Sequence, residues 1–128
     1  MIGIAGLYAQ GISAGRTAQY RTQAVNLAAD MADRIRVNRL GLVAYAGLPA
    51  NFNCDPAAGG GFDCNPVQMA AHDLFLWNQQ VQQTLPNGQW NLQFNPGTLP
   101  PSYTLTLTWD EVNQGQIQHQ MVIQVPPT

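Results

Sequence analysis

From Ile4 to Asn38 small or apolar residues recur near every 3.6 positions, through Leu7, Gly11 or Ile12, Ala14 or Gly15, Ala18, Val25, Ala28, Met31 and Ile35, and this period predicts one helix over residues 4–38. Polar residues fill its other face from Tyr20 to Arg39, with Asp30 four before Arg34 and Asp33 three before Arg36, both spacings that support ion pairs along a helix. A helix that long must bury one face against something. It should end between Asn38 and Gly41, where Arg34, Arg36 and Arg39 suit the negative end of the helix dipole and Asn38 or Gly41 can cap. Residues 42–66 are rich in Gly, Pro and Asn and read as an irregular, partly exposed excursion.

Helical spacing returns in "VQMAAHDLFLWNQQVQQTLPNG", with Met69 or Ala70, Leu74, Trp77, Val81 and Leu85 on one stripe, Asp73, Gln80 and Gln83 placed to face outward, and Pro86 and Gly88 as the stop. The period then changes to two. Trp90, Leu92 and Phe94 alternate in one run, and Tyr103, Leu105, Leu107 and Trp109 alternate with threonines in the next. "DEVNQGQ" reads as a turn into a third strand whose Ile117, His119, Met121, Ile123 and Val125 share one parity. "NPGTLPPS" separates the first two strands as a surface loop. The predicted fold is α+β: a small antiparallel sheet whose apolar side is covered by the long helix, with the second, shorter helix near one edge.

Composition narrows the class. The chain has 128 residues, one domain's worth, and only 9% are charged, against about 25% in ordinary soluble domains. All 5 basic residues are arginines (Arg16, Arg21, Arg34, Arg36, Arg39) and all precede residue 40, while the net charge is -2. No basic field is available for nucleic acid, and the tryptophans are not interleaved with cations. The two cysteines, Cys54 and Cys64, enclose the glycine-rich "DPAAGGGFD"; the spacing does not suit zinc, and a disulfide is expected, which implies an oxidising compartment.

Candidate chemistry is thin. His72 and His119 read as structural, and Asp110-Glu111 as turn capping, with a calcium site on Asp110, Glu111 and Asn113 as the minor alternative. Neither Ser13 nor Ser102 sits in a nucleophile elbow, and "AAGGG" lacks the lysine of a phosphate-binding loop. Trp77, Trp90 and Trp109 are core anchors first and a carbohydrate platform only if exposed. The expectation is a protein without catalytic residues, cofactor or metal.

The opening "MIGIAGLYAQGISAG" has no basic leader or cleavage site, and Gln10 and Arg16 interrupt it short of the roughly 20 apolar residues of a membrane span. The abrupt start reads as a truncated or processed chain.

Taken in order, the helix, its "ADMADRIRVNR" end, the cysteine loop and the "YTLTLTWDE" strand resemble the V-type minor pilins of type IV pili over nearly the whole chain. The residues that carry the resemblance are Ala24, Leu27, Ala28, Asp30, Met31, Ala32, Asp33, Arg34, Arg36, Asn38 and Arg39, with Thr106, Leu107, Thr108 and Trp109 matching a "TVTW" strand. The family's leader, Gly-Phe type processing site, early glutamate and most of its apolar helix have no counterpart here. The resemblance implies a bacterial subunit made in the inner membrane with a periplasmic head, processed and methylated by prepilin peptidase, and assembled with other minor pilins and the major pilin by the inner-membrane machinery into a complex that primes the pilus and lies at its tip. It implies residues 1–41 as the end of the extended helix and 42–128 as the head, one structural unit with that helix, soluble and monomeric alone. Tyr20, Leu27, Met31, Arg34, Ile35, Arg36 and Arg39 are then the candidates for packing the sheet or contacting neighbouring subunits, the arginines through a partner's carboxylates. The alternatives are an I-type pseudopilin of type II secretion and a tip adhesin or carbohydrate-binding head.

Overall fold

The structure, a computed structural model, describes the backbone of residues 2–54 and 64–126, and side chains from Thr17 onward within those spans. The first helix, α1 (Ile2–Val37), runs into a 3-10 segment (Arg39–Ala46); α2 (Pro66–Thr84) follows, then β1 (Gln89–Asn95), β2 (Ser102–Glu111) and β3 (Gly115–Gln124). The strands form one antiparallel sheet in the order β1-β2-β3. The helices pack on one face of it, the α+β arrangement that the change of period implies.

Alternation fixes which face is covered. In β2 Tyr103, Leu105, Leu107 and Trp109 are buried, and their register partners Phe94, Leu92 and Trp90 on β1 and Ile123, Met121, His119 and Ile117 on β3 lie on the same face. Ala24, Leu27, Ala28, Met31, Ala32 and Ile35 of α1 and Ala70, Leu74, Trp77, Val81 and Leu85 beside them complete a single core. Of the α1 stripe named from spacing, Ala28, Met31 and Ile35 are buried whereas Ala18 and Val25 are exposed, and the side chains of Leu7 and Ile12 lie outside the described residues; Ala70, Leu74, Trp77, Val81 and Leu85 are all buried.

Asn65 starts α2 with a reciprocal cap: its side-chain oxygen accepts from Gln68 N at 2.8 Å, and Gln68 Oε1 accepts from Asn65 N at 3.0 Å, with Pro66 in the first turn where a missing N–H costs nothing. Two expectations need correction. The stretch after α1 is not irregular throughout, because residues 39–46 coil into the 3-10 segment and bury Gly41 and Tyr45. Asp73 does not face outward: it is buried, one helical turn before Trp77 on the stripe that meets α1. The glycine run 59–61 inside the cysteine loop lies outside the described residues.

Candidate functional site

The end of α1 is held by a compact polar cluster. Arg34 donates from Nε to Asp30 Oδ2 at 3.1 Å and from an η nitrogen to Asp73 Oδ1 at 3.0 Å, so the ion pair expected four residues apart is joined by a second carboxylate from α2. The Tyr45 hydroxyl lies 2.6 Å from Asp73 Oδ2 and 3.0 Å from the Arg34 carbonyl oxygen. Asn38 Nδ2 donates to the Pro66 carbonyl at 2.9 Å and reaches the Tyr45 oxygen at 3.4 Å. Three elements are thereby tied at one point: the last turns of α1, the 3-10 segment that follows it, and α2, which at these contacts lies 28 to 39 residues further along the chain.

Electrostatics follow from partial burial. Desolvation pulls the Arg34 pKa down, but the hydrogen bonds and charges of Asp30 and Asp73 outweigh it and hold the guanidinium above its ordinary value. Burial, reinforced by the neighbouring Asp73 carboxylate, pushes the Tyr45 phenol well above its usual range. Tyr103, whose hydroxyl donates to the Leu42 carbonyl, is pushed up to about 12, chiefly by burial and partly offset by the Ala46 backbone. A phenol whose folded pKa exceeds its unfolded value, near 10, keeps its proton in the folded state when the unfolded chain has lost it, so the stability it contributes is complete below about pH 10 and drains away as pH rises through 12. Thermal melting against pH should therefore be flat from neutrality to about pH 10 and fall above it. A Tyr45→Phe, Tyr103→Phe double variant that shows the same alkaline fall would refute the assignment.

Gly41 makes the close approach possible. A Cβ there would lie 2.4 Å from the Pro66 carbonyl oxygen and 2.7 Å from Asn38 Nδ2. Its φ of -97° is open to any residue, so the requirement is space alone. Gly41→Ala should lower stability by about 2 kcal/mol, the scale of an overpacked core. Urea titration by circular dichroism measures it, and a midpoint equal to wild type would show that the backbone yields at no cost. The cap expected at this helix end takes another form: neither Asn38 nor Gly41 adopts a left-handed conformation, and the side chain of Asn38 is spent on Pro66.

The remaining arginines of "ADMADRIRVNR" diverge. Arg36 donates from Nε to the Gln124 carbonyl at 3.2 Å and Arg39 reaches the Pro126 carbonyl at 3.5 Å, so both leave the axis of α1 and hold the end of β3. The i,i+3 pairing of Asp33 with Arg36 does not form. Met31 and Ile35 are fully buried, Leu27 is buried and Tyr20 packs partly against the core, whereas Arg36 and Arg39 are exposed and Arg34 is mostly enclosed by its two carboxylates. Sequence reasoning missed Asp73, Tyr45 and the tight fit at Gly41. The spacing of Asp73, three after Ala70 and four before Trp77, was the available signal for the first.

A model of the Tt1218-like family, described as type IV pilin Tt1218, matches residues 6–75. That span takes in α1, the 3-10 segment and the start of α2, and so every residue of the polar cluster. The chain belongs to this type IV pilin family. No curated protein and no solved structure matches it.

Elsewhere in this pilin the candidate chemistry is absorbed by structure. Glu111 is buried, accepting from Trp109 Nε1 at 2.9 Å and from Thr17 Oγ1 at 2.8 Å, so it fastens α1 to the strands instead of capping the turn; Asp110 accepts from Asn87 Nδ2 at 2.9 Å. Among the described residues no group of three or more His, Cys, Asp and Glu side chains could hold a metal ion. The indole N–H of Trp77 donates to the Leu27 carbonyl and that of Trp90 to Asn78 Oδ1, each at 2.8 Å, and Trp77 and Trp109 are fully buried. His72 is buried with neither ring nitrogen bonded among the described residues, and half-buried His119 stands opposite Leu107. Cys54 and Cys64 form a disulfide beside the first turn of α2. No helix among the described residues is long and apolar enough to cross a membrane.

Proposed function

We propose that this pilin is a V-type minor pilin: a noncatalytic subunit of the complex that primes type IV pilus assembly and lies at the pilus tip. The observation that carries the reading is the use made of "ADMADRIRVNR". Asp30, Arg34 and Asn38 tie the helix end to the head from within, and Arg36 and Arg39 reach the end of the sheet from outside; on this reading helix and head act as one unit. A filament subunit needs that rigidity, because the helix positions it in the assembly and the head carries its lateral contacts. On this reading residues 1–41 form the helix end and 42–128 the head, and the precursor is processed and methylated by prepilin peptidase, held in the inner membrane with a periplasmic head, and joined there to the other minor pilins and the major pilin.

Met31 and Ile35 serve the sheet, which leaves Arg36, Arg39 and the exposed side of α1 near Tyr20 for neighbouring subunits. A tip adhesin with a tryptophan platform is disfavoured, since all three indole N–H groups are satisfied within the molecule, Trp77 by Leu27 of α1, Trp90 by Asn78 of α2 and Trp109 by Glu111 of its own strand. Deleting the gene in its host and counting surface pili by electron microscopy tests the proposal. Pili should be lost and then restored by the full-length gene. Normal piliation with impaired protein secretion would instead identify a type II secretion pseudopilin.

A further inference from the structure

The sheet order leaves one long side of β3 without a neighbouring strand, and the backbone ladder shows which groups face that side. Val125 N donates to the Pro101 carbonyl at 3.0 Å across the β2–β3 pair. Hydrogen bonding alternates along an antiparallel strand, so Ile117, His119, Met121 and Ile123 turn their N–H and C=O toward β2. Gln116, Gln118, Gln120, Val122 and Gln124 turn theirs outward. Arg36 takes the Gln124 carbonyl, as that geometry requires. The backbone groups of Gln116, Gln118, Gln120 and Val122 on that side have no partner among the described residues.

Free edges are ordinarily guarded by a charge, a proline or a bulge, because an open row of donors and acceptors is a template for another strand. β3 has none of these guards. Its sequence GQIQHQMVIQ includes no Asp, Glu, Lys, Arg or Pro, and its register with β2 is unbroken from Gly115 opposite Glu111 to Gln124 opposite Ser102. β1, at the other edge, has 7 residues against 10 and packs beside the 3-10 segment. The core also thins out along β3. Ile117, His119 and Met121 face the helices yet are only half-buried, whereas Trp109, Leu107 and Leu105 opposite them on β2 are fully buried.

A strand that fits this edge must be uncharged, with apolar side chains on the helix side alternating with neutral polar ones on the other. β3 itself has that pattern. We propose that two copies of this chain pair through β3, antiparallel about a two-fold axis at His119, and join their sheets into one. In this register Gln116 lies opposite Val122 of the second copy and Gln118 opposite its Gln120, so every free N–H and C=O of these residues finds a partner. On the helix side Ile117 meets Met121 and the two His119 rings stand opposite each other, which covers the thin margin of both cores. The contact uses one surface twice, so it closes at two copies. It does not rest on the subunit role proposed above, and it departs from the expectation of a monomeric isolated chain.

Sedimentation velocity of the full chain over a wide concentration range should show a monomer–dimer equilibrium that ends at the dimer. Amide hydrogen exchange followed by NMR locates the contact. Gln116, Gln118, Gln120 and Val122 should exchange fast in the monomer and slowly at dimer concentrations, while Ile117, His119 and Met121 are protected in both. Gln118→Lys with Gln120→Lys sets like charges opposite one another and should weaken association at least about tenfold, as should Gln118→Glu with Gln120→Glu. Both positions are exposed, so melting temperatures should match wild type. An equimolar mixture of these two double variants should recover association as a heterodimer. One chain carrying Gln118→Lys with Gln120→Glu should pair as wild type does, since each lysine then faces a glutamate. A chain monomeric throughout the range, a mass that climbs past the dimer, like-charge variants that associate unchanged, or a dimer in which those four amides still exchange fast would each overturn the proposal.

Discussion

Asp73→Ala should lower the stability of the head by about 3 kcal/mol, the scale for removing one partner of a mostly enclosed ion pair. Two groups lose their partner together. Arg34, with a side chain only 22% exposed, keeps Asp30 alone, itself 40% exposed, and the Tyr45 hydroxyl loses an acceptor at 2.6 Å. Asp73→Asn keeps an acceptor for Tyr45 but not the charge facing Arg34, so about half of that loss is expected. Urea denaturation monitored by circular dichroism measures both. The decisive comparison is a double-mutant cycle with Arg34→Met, which removes the stranded cation: Asp73→Ala should cost markedly less in that background. Equal costs in the two backgrounds would mean that Asp73 acts by packing and not by pairing.

Trp77→Ala should have the larger effect, about 4 kcal/mol. Its side chain is fully buried, packs edge-on to Trp90 with ring centroids 5.3 Å apart and donates to the Leu27 carbonyl at 2.8 Å, so one residue of α2 holds both α1 and β1. Trp77→Phe should keep most of the packing and lose the hydrogen bond, at about 1 kcal/mol. Thermal melting of the two variants separates these contributions. If alanine and phenylalanine cost the same, the indole N–H, and not the ring volume, anchors α2 to α1.

Both variants fall on the joint between α1 and the rest of the molecule, which is where the pilin reading places the mechanical demand. A subunit whose helix and head are decoupled could fold and still fail in a filament. Asp73→Asn, with its modest cost in stability, is thus the variant with which to ask whether a stable head with a loosened joint still supports piliation.

Elements with strong periodicity were legible in the sequence. The Met31, Ile35 stripe, the Leu74, Trp77, Val81 stripe and the Tyr103 to Trp109 alternation each state their own burial, because a period of 3.6 or 2 puts like residues on one face whatever they pack against. Asp30 with Arg34 was legible for the same reason, both partners lying on one helix. Asp33 with Arg36 had an equally good spacing and did not pair, because the Gln124 carbonyl competes for Arg36 across 88 residues. Glu111 read as a turn residue because its neighbours in the chain are turn residues; its actual partners are Trp109 and Thr17, the latter 94 positions away.

The sequence alone thus determined the two helices and three strands, the α+β class, most of the inward apolar positions and, through the order of its motifs, the pilin resemblance. All of these depend on local spacing. The tertiary structure decided what the polar residues do: that Asp73 turns inward to share Arg34 with Asp30, that Gly41 is required for its lack of a side chain, and that Arg36 and Arg39 clasp the sheet instead of capping their own helix. Apolar burial is nonspecific enough to be written as a pattern. A hydrogen bond needs one particular partner within about 3 Å, and which distant group arrives there is settled only when the chain has folded.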